Sequence, residues 1–300
     1  MVPPRSSAPN APYRDPPIRG LGVVQATLRI FVALECWGAA ASRLVSGEVS
    51  DLCRYLVRDH AIPAAIAGGL DNSLAWCLIL AGFVTLVRPA WPLLMVVALV
   101  MVLQPIALLL LGNTFASRLA AVRDVVQVAA PLSLLFVDFW PPAPPFVYSR
   151  FQAAMGVLRF GAAATFVGWG LQLLWSAVQH TGPYAQSLAS GLARLGLGTL
   201  SPEQKLFALG VLGAVYFGLG MGLALGRSRA YAFFAALVGL GGAALPTIAE
   251  GTRGYPDTLL HLVDGGAPLA LLVCWTLGYR ETPPRPVSGH EPREMSRPHH

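Results

Sequence analysis

The sequence predicts an all-α polytopic integral membrane protein, with eight transmembrane helices arranged as two parallel four-helix repeats. Three observations carry this. First, 55% of the 300 residues are hydrophobic and only 12% charged, whereas soluble domains carry about 25% charged residues. The mean hydropathy of +0.58 agrees. Lipid resolves the shortage of polar surface, because side chains facing acyl tails need no protein cover. Second, apolar runs of about the 20 residues that a bilayer core requires recur along the chain. Third, the two halves of the chain match each other in places.

Each apolar run reads as a helix, because backbone amides in hydrocarbon must be satisfied within their own segment. Residues 1–20 are Pro-rich without an apolar stretch, which predicts a disordered cytoplasmic tail and no cleaved signal. The first span is 21–41. The second, 73–88, is short, and Pro89 and Pro92 separate it from the third, 91–112. The fourth is 121–140. Five residues, Pro141-Pro142-Ala143-Pro144-Pro145, then form a stiff linker that cannot continue a helix. The remaining spans are 153–178, 203–226, 230–249 and 259–279, before a polar, Pro-rich C-terminal tail. The plan is therefore a tail over 1–20, a first repeat over 21–140, a linker over 141–152, a second repeat over 153–280 and a tail over 281–300.

Longer connections follow the first and fifth spans. In the second of them Tyr184, Leu188, Leu192 and Leu195 recur at helical spacing, which predicts a short amphipathic helix at the membrane interface. The internal match is clearest where Val122-Arg123-Asp124 through Leu135 lies over Leu259-Leu260-His261 through Leu272, sharing the core A-P-L-x-L-L. Asp124 falls on His261, Gln127 on Asp264 and Pro131 on Pro268. Leu28-Arg29-Ile30 likewise lies over Leu158-Arg159-Phe160. An even number of spans per repeat gives both copies the same orientation in the membrane, unlike inverted-repeat transporters.

The net charge of +6 sits in tails and short loops, with no run of five or more Lys/Arg, so the basic balance does not point to nucleic acid. Arg88, Arg227 and Arg229 occupy the short loops after the second and sixth spans without an acid beside them. The positive-inside rule then places both termini in the cytoplasm of a multi-pass cell-membrane protein. The four cysteines show no C-x-x-C spacing. Cys36, Cys77 and Cys274 lie in apolar runs and read as small buried hydrophobes. Glycines of the sixth and seventh spans permit close helix packing.

Ionisable groups in membrane helices cost about 2.5–3.5 kcal/mol on insertion scales, so each needs a reason. Glu35, Asp124, His261 and Asp264 are the candidates, with Gln127 one helical turn from Asp124. Two readings remain open. They form a polar pocket, in which a carboxylate beside an imidazole relays protons or hydrogen-bonds a quinone carbonyl; or they are hydrogen-bond partners that hold the bundle together. Arg29 and Arg159 read as anchors that snorkel to the interface. Only His261 among the histidines lies in a span, and H-E-x-x-H, P-loop and G-x-S-x-G motifs are absent from the sequence.

A four-helix unit that opens with L-R-[IF], has a polar interfacial segment after its first helix and carries an acid early in its fourth resembles the DoxX-like family. By that resemblance each half is one copy, with Arg29 and Arg159 as the matching first-helix arginines and Asp124 and His261 as the matching fourth-helix positions. The chain departs from the pattern in having His261 where the acid stands and in lacking the family's Gly-rich ending. The resemblance implies a small subunit of a membrane redox system, such as a thiosulfate:quinone oxidoreductase, or a partner in an oxidant-defence complex, in contact with quinone or with other membrane subunits. Two other classes stay open: a lipid- or sterol-processing enzyme with Glu35 and His261 as acid and base, and a small-solute transporter. The topology is testable directly. Reporter fusions at Pro144 and at the C-terminus should both read cytoplasmic, and a reading on the far side at either place overturns the assignment.

Overall fold

The computed structural model describes residues 20–112, 114–140, 147–179, 183–196 and 201–277. Both tails, the proline linker and the C-terminal part of the second amphipathic stretch lie outside them. Among the described residues the structure is α-helical apart from one isolated bridge and one 3-10 turn. The helices are α1 (Leu21–Leu44), α2 (Asp51–His60), α3 (Ala64–Val87), α4 (Trp91–Leu111), α5 (Phe115–Arg123), α6 (Val125–Val137), α7 (Tyr148–Val178), α8 (Pro183–Arg194), α9 (Pro202–Leu225), α10 (Arg229–Glu250) and α11 (Tyr255–Leu277). With α5 and α6 taken as one, eight segments of 21 to 31 residues are long and apolar enough to cross a membrane. Large apolar side chains such as Trp76, Phe83, Phe207 and Leu225 stand exposed on their outer faces, as a lipid-solvated surface requires.

Several sequence expectations need correcting. The second span is not short. It begins at Ala64, because Pro63 opens the helix and the apolar run continues back through Ala64-Ala65-Ile66-Ala67. The fourth span begins at Phe115, capped by the Thr114 hydroxyl, and its path is interrupted at Asp124, which leaves the helical conformation at ψ 6°. The connection after α1 also holds a helix, α2, started by Ser50 accepting from the Cys53 amide. Cys77 is exposed and not buried, since it points out from the bundle. Of the glycines in α9 and α10, Gly213, Gly220, Gly222, Gly239 and Gly242 do meet neighbouring helices or side chains, but Gly210, Gly218 and Gly241 face open space.

The contacts of the first half recur in the second. In the first, α1 packs on α3, α2 on α4, α4 on α6 and α1 on α6; in the second, α7 packs on α9, α8 on α10, α10 on α11 and α7 on α11. Across the middle, α1 lies along α11 and α7 along α5 and α6. Exchanging the halves turns each of these contacts into another.

The correspondence extends to single residues. Gly38 of α1 rests on the backbone of Leu259 and Leu260, and Gly168 of α7 on the backbone of Val122 and Arg123. Gly38 follows Arg29 at the same distance as Gly168 follows Arg159, and Val122-Arg123 lies over Leu259-Leu260 in the A-P-L-x-L-L match. Two turns away the sizes change places. Phe31 packs on Gly266, while its counterpart Gly161 packs on Ala129. The seam is filled by a large and an absent side chain on one side and by two small ones on the other.

The end of the bundle remote from α2 and α8 is tied differently. Arg29 Nε donates to Asp138 Oδ2 at 2.6 Å and Arg88 lies over the Trp140 ring at 4.4 Å. Backbone bonds from Trp140 to Pro89 and from Trp91 to Trp140 join the α3–α4 turn to the end of α6. The seam makes a specific prediction. Gly266→Ala should lower unfolding stability by about 1–3 kcal/mol, the usual cost of overpacking. Phe31→Ala added to it should cost less than the sum of the two single changes. Strict additivity in detergent unfolding would show that the two positions do not share one space.

Candidate functional site

The polar side chains of the membrane helices gather in two places near the end of the bundle that carries α2 and α8. The first is a cavity of about 240 Å³ inside the first half, bounded by α1, α2, α3, α4, α6 and the start of α11. Its apolar floor is Leu74, Ala75, Leu78, Val100 and Met101, and its rim carries Arg43, Glu48, Asp51, Arg54, Asp71 and Asp257.

Several bonds hold this rim in place. Arg43 Nε donates to Asn72 Oδ1 at 2.9 Å and lies 3.3 Å from Asp71 Oδ2. Asp71, buried at 6% exposure, also accepts from the Ser50 amide at 3.2 Å, and Gln104 Oε1 accepts from the Leu52 amide at 3.3 Å. The first turn of α2 is therefore tied down to α3 and α4 through its own free N–H groups, which a helix start leaves unpaired. Burial pushes the Glu48 carboxyl above the ordinary carboxylate range; Asp257 adds to the push and Arg54 opposes it. Burial likewise raises Asp51, against the pull of Arg54. Gln127 borders the cavity from α6, and its buried Nε2 finds no hydrogen-bond partner among the described residues.

The second place is the middle seam. Trp169 of α7 donates from Nε1 to Asp264 Oδ2 at 2.9 Å, and His261 Nδ1 lies 3.2 Å from the same oxygen. Arg123 stacks over the Trp169 ring at 4.8 Å, holds Asp124 through two bonds of 2.7 and 3.2 Å and donates to the Tyr184 hydroxyl at 2.8 Å. The Trp169 ring meets Tyr184, Tyr216 and His261 within 5.5 to 6.3 Å between ring centres. This network joins α5, α7, α8, α9 and α11 through hydrogen bonds and ring contacts.

Glu35 lies on the seam face of α1, between Phe31 and Gly38, and is fully buried. Neither carboxyl oxygen has a hydrogen-bond partner among the described residues, and Oδ1 of Asp264, within its electrostatic reach, has none either. The other half explains the difference. Its counterpart Thr165 accepts from the Val126 amide at 2.9 Å. That amide is free because the helix restarts just after Asp124, whereas the matching stretch of α11 is continuous and keeps its amides for itself.

The candidates read from the sequence thus separate. His261 and Asp264 come together, with Trp169 as a partner that the sequence did not flag. Asp124 and Gln127 do not share a site, because the break at Asp124 sends one to Arg123 and the other to the cavity. Glu35 has no hydrogen bond to His261. Arg29 pairs with Asp138, while Arg159 stacks on Phe160 at 5.0 Å and its Nε has no partner. Asp71, Arg43 and Gln104 were missed. Carrying the second span back to Ala64 would have placed Asp71 inside the membrane and made it a candidate. Among the described residues, groups of three or more His, Cys, Asp or Glu able to hold a metal ion are absent.

Comparison with protein-family models, with curated proteins and with solved structures gave no match. The site itself yields a test. An unpartnered buried carboxyl costs about 1–3 kcal/mol that an apolar group of similar shape does not. Glu35→Met should therefore unfold at the same or a higher temperature than the parent protein. A clear drop would mean that the carboxyl has a stabilising partner.

Proposed function

We propose that this chain is a DoxX-like integral membrane subunit of a redox system, and that its first bundle receives the ring of a quinone in the cavity beneath α2. The observation that carries the reading is Gln127, an 8% exposed side chain at the cavity wall whose amide N–H has no acceptor among the described residues. A buried donor without a partner is costly, and a ring carbonyl is an acceptor of the right kind. The volume of about 240 Å³ lies just below the ~300–1,000 Å³ of drug-sized pockets and suits one ring.

The rim supports the same reading. Four carboxyl groups, Glu48, Asp51, Asp71 and Asp257, face two arginines, Arg43 and Arg54, and Arg43 is already engaged by Asp71 and Asn72. An anionic head would meet repulsion here, and an uncharged one would not. Glu48 and Asp51 stand on the rim beside the ring position. In this reading the chain binds and orients the ligand, and a partner subunit delivers the electrons. The alternative of an acid–base enzyme needs Glu35 within hydrogen-bond reach of His261, and that contact is missing. The filled seam network fits a structural role, holding the halves together.

The reading is tested by ligand retention. Full-length protein purified in mild detergent should carry quinone on extraction. Gln127→Leu should bind a soluble benzoquinone about three- to tenfold more weakly, the worth of one net hydrogen bond of ~0.5–1.5 kcal/mol, without losing thermal stability. Unchanged affinity in Gln127→Leu would sink the assignment of the cavity.

A further inference from the structure

The cavity does not stand alone. A second, larger hollow of about 630 Å³ shares Arg43, Val49, Asp51 and Arg54 with it. Away from those shared residues its walls turn apolar, with Val57 of α2, Ala64 and Gly68 of α3, and Leu108 and Leu111 of α4. It is a groove between α2 and the ends of α3 and α4.

Three features make the groove a built one. Arg58 closes its far end, donating from α2 to the carbonyls of Leu111 at 2.8 Å and Leu110 at 3.3 Å. Those are last-turn carbonyls of α4, which the helix cannot satisfy itself. Ala64 and Gly68, one turn apart on α3, keep the facing wall low, and a Cβ at Gly68 would meet only the Arg43 guanidinium, at 3.6 Å. Lastly, α3 and α4 touch each other sparingly, and their neighbouring residues Ile66, Leu70, Leu109 and Leu110 are exposed apolar groups of the lipid-facing surface. The groove therefore leads from the polar chamber toward the hydrocarbon.

The arginines around both hollows are committed. Arg43 is held by Asp71 and Asn72, Arg54 pairs with Asp51 at 3.3 Å, and Arg58 pairs with Asp59 at 3.1 Å. A phosphate head would have to share an arginine with a carboxylate already paired to it, and would sit among the rim carboxylates. We infer that the ligand of this site is an amphipath with an uncharged, hydrogen-bond-accepting head and a hydrocarbon tail, the head lying against Gln127 and the tail leaving through the groove between α2, α3 and α4. The inference rests on the cavity being the head site, as proposed above, and adds the tail and its route.

Affinity measurements on the full-length protein in detergent test it, with two synthetic benzoquinones that share one ring, one without a tail and one with a ten-carbon chain. Gly68→Leu fills the groove from α3 with little to clash against, Ala64→Leu does so one turn earlier, and Gly69→Leu, where a Cβ meets nothing within 4 Å, is the control for added apolar surface. The tailed compound should bind the parent and Gly69→Leu alike, and at least about tenfold more tightly than the tail-less one, since two buried methylenes already supply that factor. Gly68→Leu and Ala64→Leu should each remove most of the tail's advantage while leaving the tail-less compound unchanged. If the tailed compound binds Gly68→Leu and Ala64→Leu as it binds the parent, while Gln127→Leu still weakens the bare ring, the groove assignment fails and the ring site stands. If neither compound binds the parent, the ring site fails and the inference falls with it. Tight binding of a tailed phosphate in place of either quinone would overturn the uncharged head.

Discussion

Two backbone-on-backbone contacts, at Gly38 and Gly168, set the geometry of everything between the halves. Lipid tails are as apolar as leucine, so membrane helices gain little from hiding apolar surface from one another and depend on close packing and interhelical hydrogen bonds. A side chain at either glycine would collide with the main chain of the opposite half. Because α1 and α7 approach this closely, the residues one turn from the glycines become fully buried. Glu35 and Thr165 lie at 0% exposure for that reason. The same approach brings Trp169 within reach of Asp264 on α11 while Arg123 of α5 stacks on its ring.

Within that frame the halves differ in how they are filled. Beneath α2 the first half keeps a chamber with a polar rim and, among the described residues, an unpartnered amide. Near α8 the second half places Trp169 in ring contact with both Tyr184 and Tyr216, with Phe166 stacked on Tyr216 at 5.2 Å. One half encloses a cavity; the other is packed with its own aromatic side chains. The conformational break at Asp124 belongs to this division. It frees the Val126 amide for Thr165, and it turns Gln127 away from Asp124 toward the chamber.

The spans were legible because hydrocarbon imposes a length and a composition that a sequence shows directly. The A-P-L-x-L-L match gave the residue equivalences that the seam contacts follow. What escaped was set by side chains meeting across the bundle. Asp71 looked like a loop residue until the helix was seen to start at Ala64. Trp169 and Tyr184 read as apolar and interfacial residues, and only the folded chain brings their N–H and O–H groups to Asp264 and Arg123. Asp138 sits at the end of an apolar run, and nothing local to it points to Arg29, 109 residues earlier. The chamber could not be read from the sequence at all, because it is made by six helices and a loop at once.

The exchange of sizes at the seam has a consequence for assembly. Two first halves meeting as α1 meets α11 would bring the Phe31 ring onto the methyl group of Ala129. Two second halves would set Gly161 against Gly266 and leave a gap. Each half fits its neighbour and does not fit a copy of itself. Made as separate chains, both halves would therefore be needed together, since neither could replace the other in a symmetric pair.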